Sequence, residues 1–341
     1  MTITAIEGFD VLTTALIASK YPNGAQFSPA MSTGRFGTGQ SYTPGSSNQN
    51  GEWSPLIAPA PAATFAFGVA ILIPAGTLAG AGTGVRIVGL LDSGGSTQAR
   101  VMVAADGTVR AVSGVSTVMA SSSAGVWTPD VFHYLEVEFV LSDTAGVFKI
   151  WVDGVLVVNV TTGDTKGQSS TTVFRLQMSP SGMGAGGVSF DDYYQTDGSR
   201  LGEARVVTLM PSSDTADKDW GRSAGSDNYA LVDERPSDGD STYVTSSTVG
   251  DQDYYGMEDL SFTPAAIYAV QSSIIARKDD AAARAVRANI KSGASVANGT
   301  ALGLAAGYQQ RVTIHATDPN GGGGWTASGV NALQAGPETT I

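Results

Sequence analysis

The chain reads as an all-β protein made of two sandwich-type domains, and three observations predict this. Residues 127–162 read as three strands in a row, with 133–141 alternating with a period of two and a tight-turn signature, Asp153-Gly154, between the last two. Short runs rich in β-branched and aromatic residues recur up to residue 195, spaced as in a sandwich or jelly roll. Finally, 43 glycines and 14 prolines with only 15% charged residues speak for many turns and few long helices. A length of 341 residues exceeds one small sandwich and suits two domains, and 42% hydrophobic content is enough to fill their cores.

In order, residues 3–9 form a short strand and 11–20 a turn or two of helix. Residues 26–54 are polar and rich in Gly, Ser and Asn. Residues 64–73 are strongly β-prone, and a glycine-rich loop follows. Residues 85–91, 99–104 and 108–113 form successive strands, the last two joined at Asp106-Gly107. The central meander comes next. In 133–141, Tyr134, Glu136, Glu138 and Val140 share one face, with Leu135, Val137, Phe139 and Leu141 on the other, the pattern of a half-buried strand. Strands 147–152 and 155–160 flank Asp153-Gly154, a hairpin signal because a type I′ turn needs positive φ at both central residues. Residues 171–178 and 188–195 complete the first domain.

The polar, glycine-rich stretch 196–203 marks the boundary, giving domains 1–197 and 198–341. A strand over 204–210 opens the second. Residues 211–256 carry ten aspartates and glutamates from Asp214 to Asp253, with Trp220, Tyr229, Tyr243, Tyr254 and Tyr255 arguing for order; long loops mixed with short strands fit best. Residues 265–277 and 308–316 are strands. Residues 278–293 conflict: Asp279-Asp280 before an alanine-rich run favours a capped helix, whereas alternation over 284–291 favours a hairpin with the preceding strand, which is preferred. Residues 325–334 hold one short helix with Thr326 or Ser328 as cap, before a terminal strand.

The net charge of −12 argues against nucleic acid and anionic membrane surfaces as partners, since both call for clustered Lys and Arg. The chain has no cysteine, which removes disulfides, thiolate catalysis and Cys-based metal sites and leans towards a bacterial or viral source. The opening residues lack a basic run before an apolar one, so ordinary secretion is not expected. The most apolar run, 62–78, is broken by Gly68, Pro74 and Gly76 and reads as strand rather than membrane span.

Motifs with chemistry are weak. Gly221-Arg222-Ser223-Ala224-Gly225 matches a hydrolase elbow but follows a polar segment rather than a buried strand. Gly182, Gly184 and Gly187 match a dinucleotide fingerprint but precede a strand, so no helix N-terminus meets a pyrophosphate. His133 and His315 lack partners at zinc spacing. Glu136 and Glu138 are the only pair that resembles a glycosidase's two carboxylates, and a solvated strand face outweighs that reading. Asp191-Asp192, Asp238-Gly239-Asp240 and Asp251-Gln252-Asp253 offer oxygen ligands, but none follows the EF-hand pattern. No catalytic residue, cofactor or metal is assigned.

Four stretches carry a resemblance: Glu7-Gly8-Phe9-Asp10, Ser32-Thr33-Gly34-Arg35-Phe36-Gly37, Trp151-Val152-Asp153-Gly154 and Phe190-Asp191-Asp192-Tyr193-Tyr194. With these, the first half resembles the laminin-G/concanavalin-like jelly rolls common in bacteriophage virion proteins. The second half is similar to a region that often follows it, through Gly202-Glu203-Ala204-Arg205-Val206-Val207-Thr208-Leu209, residues 228–234, Tyr243-Val244, and Trp325 with residues 330–336. The resemblance implies a non-enzymatic exterior component of a virion, assembled as a homo-oligomer with other virion proteins. A tail-fibre or appendage role, with host-surface glycan as a contact, is favoured over capsid decoration. A free carbohydrate-binding module, stacking sugar on Trp53, Trp127, Trp220 or Trp325, is the alternative from another class.

Overall fold

The computed structural model describes residues 1–21, 30–44, 55–82, 84–181 and 187–341. It is all-β, with 43% strand against 6% helix. The chain divides into two compact units, residues 1–9 with 17–206, and residues 10–16 with 207–341.

The first unit runs β1 (Ile3–Glu7), β2 (Ala30–Thr33), β3 (Gln40–Thr43), β4 (Thr64–Leu72), β5 (Val85–Leu91), β6 (Thr97–Val103), β7 (Val109–Ser113), β8 (Thr117–Ser121), β9 (Phe132–Val140), β10 (Val147–Val152), β11 (Val155–Val160), β12 (Arg175–Ser181) and β13 (Ser189–Thr196). Helix α1 (Thr14–Lys20) follows β1, and a short α2 (Ala75–Ala79) lies in the loop expected to be irregular. An eight-stranded antiparallel sheet has the order β11-β10-β9-β4-β13-β3-β2, with β1 also on β13, and a five-stranded sheet has the order β12-β5-β6-β7-β8. Neighbouring strands distant in sequence, such as β4 between β9 and β13, are the jelly-roll signature.

Between the sheets lies an aromatic core. Along β4 the alternation sends Phe65, Phe67, Val69 and Ile71 to one face, all buried. Phe65 packs on Phe139 with centroids 5.7 Å apart, and Phe139 meets Phe148 edge-on at 5.2 Å. The predicted hairpin forms as its sequence requires: Asp153 and Gly154 both take positive φ, 49° and 76°.

One expectation fails here in an informative way. The meander strand β9 is buried on both faces, Glu136 completely, rather than half-buried. Its outer face is covered by residues 200–206, which are neither a strand nor the start of the second domain. Leu201 and Ala204 pack on the buried cluster Ala70, Tyr134 and Tyr194. The unit therefore ends at Val206 rather than after Asp197.

The second unit runs β14 (Pro211–Lys218), β15 (Gly221–Arg222), β16 (Val244–Thr245), β17 (Asp253–Met257), β18 (Val270–Ala276), β19 (Ala285–Ser292), β20 (Ser295–Ala297), β21 (Leu302–Gly303), β22 (Gln309–His315), helix α3 (Ala327–Asn331) and β23 (Gln334–Thr339). A six-stranded sheet, β14-β17-β23-β19-β20 with β21 on β19, accompanies the pairs β15-β16 and β18-β22. The ambiguous segment is strand, as preferred. Its partners, however, are β20, β21 and β23 rather than the strand before it, which pairs with β22. Thr326 caps α3 by accepting the Gly329 N–H at 3.0 Å.

Candidate functional site

Three of the first-half stretches that carry the family resemblance, those with Arg35, Trp151 and Asp191-Asp192, meet in the first unit on the outer face of the eight-stranded sheet. Arg35, just after β2, reaches three carboxylates. Its backbone N–H donates to Asp191 Oδ2 at 2.8 Å, its guanidinium lies 3.5 Å from Asp192 Oδ2, and it also pairs with Glu203. The guanidinium stacks over Tyr134 at 4.8 Å and donates to the Ala204 carbonyl at 3.2 Å. Asp191 and Asp192 occupy a β-bulge where β13 slips against β4, and Asp192 takes a positive φ of 50°. That local twist aims Asp192 Oδ1 at the Val206 N–H, 2.8 Å away.

Beside it sits Glu136, from the centre of the meander. Its carboxylate accepts from Tyr194 Oη at 2.6 Å, Arg200 Nη1 at 2.6 Å and the Gly202 N–H at 2.8 Å. Arg200 in turn stacks over Trp151 at 4.6 Å, and its N–H points at Glu138 Oε1, 3.3 Å away. Gly68 makes room beneath: a Cβ there would overlap the ring of Tyr194 and touch Tyr134. Glu136 and Glu138 share a face, as the alternation predicts, but that face is not solvated. The charge is neutralised and hydrogen-bonded from inside, the arrangement that makes a buried ion tolerable. Such a carboxylate ties a chain segment down and has no open side towards a sugar.

Burial pushes the Asp192 carboxyl up to about 6, against the Val206 N–H and Arg35, which pull it down. Its Oδ2 makes no hydrogen bond beyond facing Arg35. A raised folded-state value means that the folded chain holds this proton more tightly than the unfolded one. The stabilisation is thus complete below about pH 4 and is lost as pH rises to about 6, a change of order 2–3 kcal/mol. Asp192→Asn keeps a side chain tolerant of positive φ and abolishes this term. The Tm difference between variant and parent should shift in the variant's favour from pH 4 to pH 7; a difference that stays flat would refute the assignment.

A second constellation joins the start of β9 to the hairpin. His133 Nδ1 lies 2.6 Å from Asp153 Oδ2, and its Nε2 lies 2.9 Å from Thr128 Oγ1. The distances mimic a hydroxyl–imidazole–carboxylate relay. However, the Thr128 N–H also points at Nε2 at 3.1 Å, and Asp153 Oδ1 accepts the Tyr134 N–H at 2.8 Å. With Trp127 packed against the ring at 5.0 Å, the imidazole closes the 128–133 turn.

The remaining sequence motifs fall to internal contacts. Ser223 directly follows β15, where its Oγ accepts the Tyr243 N–H at 2.9 Å, and no α-helix starts from it. The glycine fingerprint lies, apart from Gly187, outside the described residues, as does Trp53. Trp127 and Trp325 are buried, at 1% and 5% exposure, so neither can stack on a sugar, and the Trp220 indole donates to the Asp251 carbonyl at 3.2 Å. Asp240 holds Arg277 and Tyr308, Asp238 holds Thr242, and Asp251 holds Ser246. Asp253 is fully buried and holds the Trp220 N–H, Asn228 Nδ2 and Tyr255 Oη. Among the described residues, no three His, Asp or Glu side chains gather as a cation site. His315 bonds to Ser272 at 3.0 Å, and burial lowers its proton affinity.

The chain matches no protein-family model and no curated protein. Solved structures with similar folds include a GH131 β-glucanase catalytic domain from Podospora anserina, at 15% identity over 59% of this chain and 98% of that one, TM-score 0.37. Another is the cellulose-induced protein Cip1, at 15% identity over 52% of this chain and 88% of that one, TM-score 0.35. The binding domain of Paraclostridial Mosquitocidal Protein 1 matches at 8% identity over 58% of this chain and 49% of its own length, TM-score 0.38. These are β-sandwich neighbours; at such identities the likeness carries no chemistry.

Proposed function

We propose that the chain is a non-enzymatic structural component on the outside of a bacteriophage particle, by preference part of a tail appendage. The observation that carries this reading is Glu136, sealed at 0% exposure by Tyr194, Arg200 and Gly202. The one carboxylate pair with a glycosidase pattern serves to fasten residues 200–206 onto a sheet. Arg35, Trp151, Asp191 and Asp192, from three of the first-half stretches that carry the resemblance, contribute to this fastening, which fits a rigid scaffold. Acidic composition and the absence of cysteine fit an exterior protein that folds without disulfides.

Electron microscopy of purified particles with an antibody against the chain tests the proposal. Label confined to the tail is expected. Regular label over the head would replace the appendage role with capsid decoration. Absence of label from every particle would overturn the virion reading and leave a free glycan-binding module to test on a glycan array.

A further inference from the structure

The two sheets of the first unit are charged in opposite senses. The strands of the eight-stranded sheet hold Glu7, Glu136, Glu138, Asp191 and Asp192 against a single lysine, Lys149. The strands of the five-stranded sheet hold Arg86, Arg100, Arg110 and Arg175, and no Asp, Glu or Lys. In a chain whose formal charge is −12, cations are thus gathered on one sheet with no carboxylate in any of its strands.

Alternation and register put them on one face. Ala99, Val101, Val103, Val109 and Ala111 point into the core at 0% exposure, so Arg100, Met102 and Arg110 point outwards. Arg86 pairs with Met102 and Met102 with Arg110, one row across β5, β6 and β7. In the neighbouring row Gly89 lies between Gln177 and Arg100, and Arg175 stands opposite Leu91. A Cβ at Gly89 would come within 3.2 Å of Arg86 Cδ, so glycine lets that buried stem lie across the sheet. Arg100, Arg110 and Arg175 are partly exposed. Like charges on neighbouring strands repel, and burial pulls the Arg100 guanidinium below its ordinary range. An anion laid across the face would offset both costs.

Arginine presents a planar fork of donors that matches carboxylate, sulfate and phosphate, where lysine offers a point charge. Arg86 and Arg110 stand two strand spacings apart, roughly 10 Å between their Cα atoms, so a ligand that engages the whole row carries more than one anionic group. The five strands contain no Phe, Tyr or Trp on which bases could stack, which sets a single-stranded nucleic acid aside. We infer that the outer face of the five-stranded sheet binds the anionic groups of an acidic polysaccharide. This rests on a host-surface glycan being the contact in the function proposed above, and it names the charge of that glycan and the face that meets it.

Binding of the full chain to immobilised polygalacturonate and dextran sulfate, with dextran as the neutral match and a polythymidine oligonucleotide as the competing polyanion, tests the inference. The parent is expected to bind one or both acidic polysaccharides, with affinity that falls as salt is raised, and not dextran. Preference for polygalacturonate or for dextran sulfate tells carboxylate from sulfate. Arg100→Gln with Arg110→Gln should weaken binding by roughly 100-fold with an unchanged melting curve, and Arg110→Gln alone, at a partly exposed position, by roughly tenfold. Arg284→Gln, in an exposed pair with Asp280 of the second unit, is the control and should bind as the parent does. No binding to either acidic polysaccharide, equal binding to dextran, tighter binding to the oligonucleotide, or an Arg110→Gln variant that binds like the parent would each overturn it. The assay uses the isolated chain, so its failure is distinct from absence of label on the particle.

Discussion

Glu136→Ala is expected to destabilise the first unit by about 3–5 kcal/mol, lowering its melting transition by roughly 10 °C. Removing the carboxylate leaves Tyr194 Oη and the Gly202 N–H without an acceptor in a region closed to water. It also strands Arg200, which lies over Trp151 and loses its partner ion. Glu136→Gln separates the two contributions. The amide keeps an oxygen for the tyrosine or the backbone, and the Arg200 side chain is 27% exposed and can turn to water, so its cost should be nearer 1–2 kcal/mol. Calorimetry on both variants decides the matter. A loss under about 1 kcal/mol for Glu136→Ala would mean that residues 200–206 do not seal this face.

That expectation could not have been written from periodicity alone. Alternation places Glu136 and Glu138 on one face of a strand, and a face bearing two carboxylates reads as solvated. What reverses the reading is a contact across more than sixty positions: Arg200 and Gly202 lie in a polar, glycine-rich segment whose composition signals a linker. Local signals transmit what local physics fixes. The Asp153-Gly154 turn, the Thr326 cap and the strand character of 285–292 were all legible because turn geometry, capping and side-chain alternation act within a few residues, the last against the helical propensity of the alanine-rich run. The pairing of that last strand was not, because its longest ladder is with β23, whose Glu338 faces Arg287 from 51 positions away.

The candidate site divides in the same way. Arg35, Asp191, Asp192 and Tyr194 stand inside the stretches that carry the family resemblance, yet nothing in their spacing says that they meet. The bulge in β13 and the positive φ of Asp192 bring them together, and both follow from the sheet. The acidic run of the second unit misleads in the opposite direction. Clustered aspartates suggest a cation, whereas Asp214, Asp217 and Asp253 are taken up by Lys218, Lys291, Asn228 and Tyr255.

Asp253 also marks the place where the second unit should be least forgiving. Gly336 lies in β23, opposite Asn289 of β19, with β17 on its other side. A Cβ there would overlap the backbone carbonyl of Asp253 and press on Cα of Tyr254 at 3.2 Å. Its φ is not in the left-handed region, so the need for glycine is one of space rather than conformation. The obstacle is backbone, which cannot rotate away as a side chain could. It is also pinned, because the Asp253 side chain holds Trp220, Asn228 and Tyr255. Gly336→Ala must therefore push β17 from β23, and should cost about 3 kcal/mol in the second unit's unfolding. Gly323→Ala, where a new Cβ meets nothing within 4 Å, is the matched control and should stay within about 0.5 kcal/mol of the parent. Equal melting points for the two variants would mean that β17 and β23 do not approach as closely as this, and that the Asp253 network is free to shift with them.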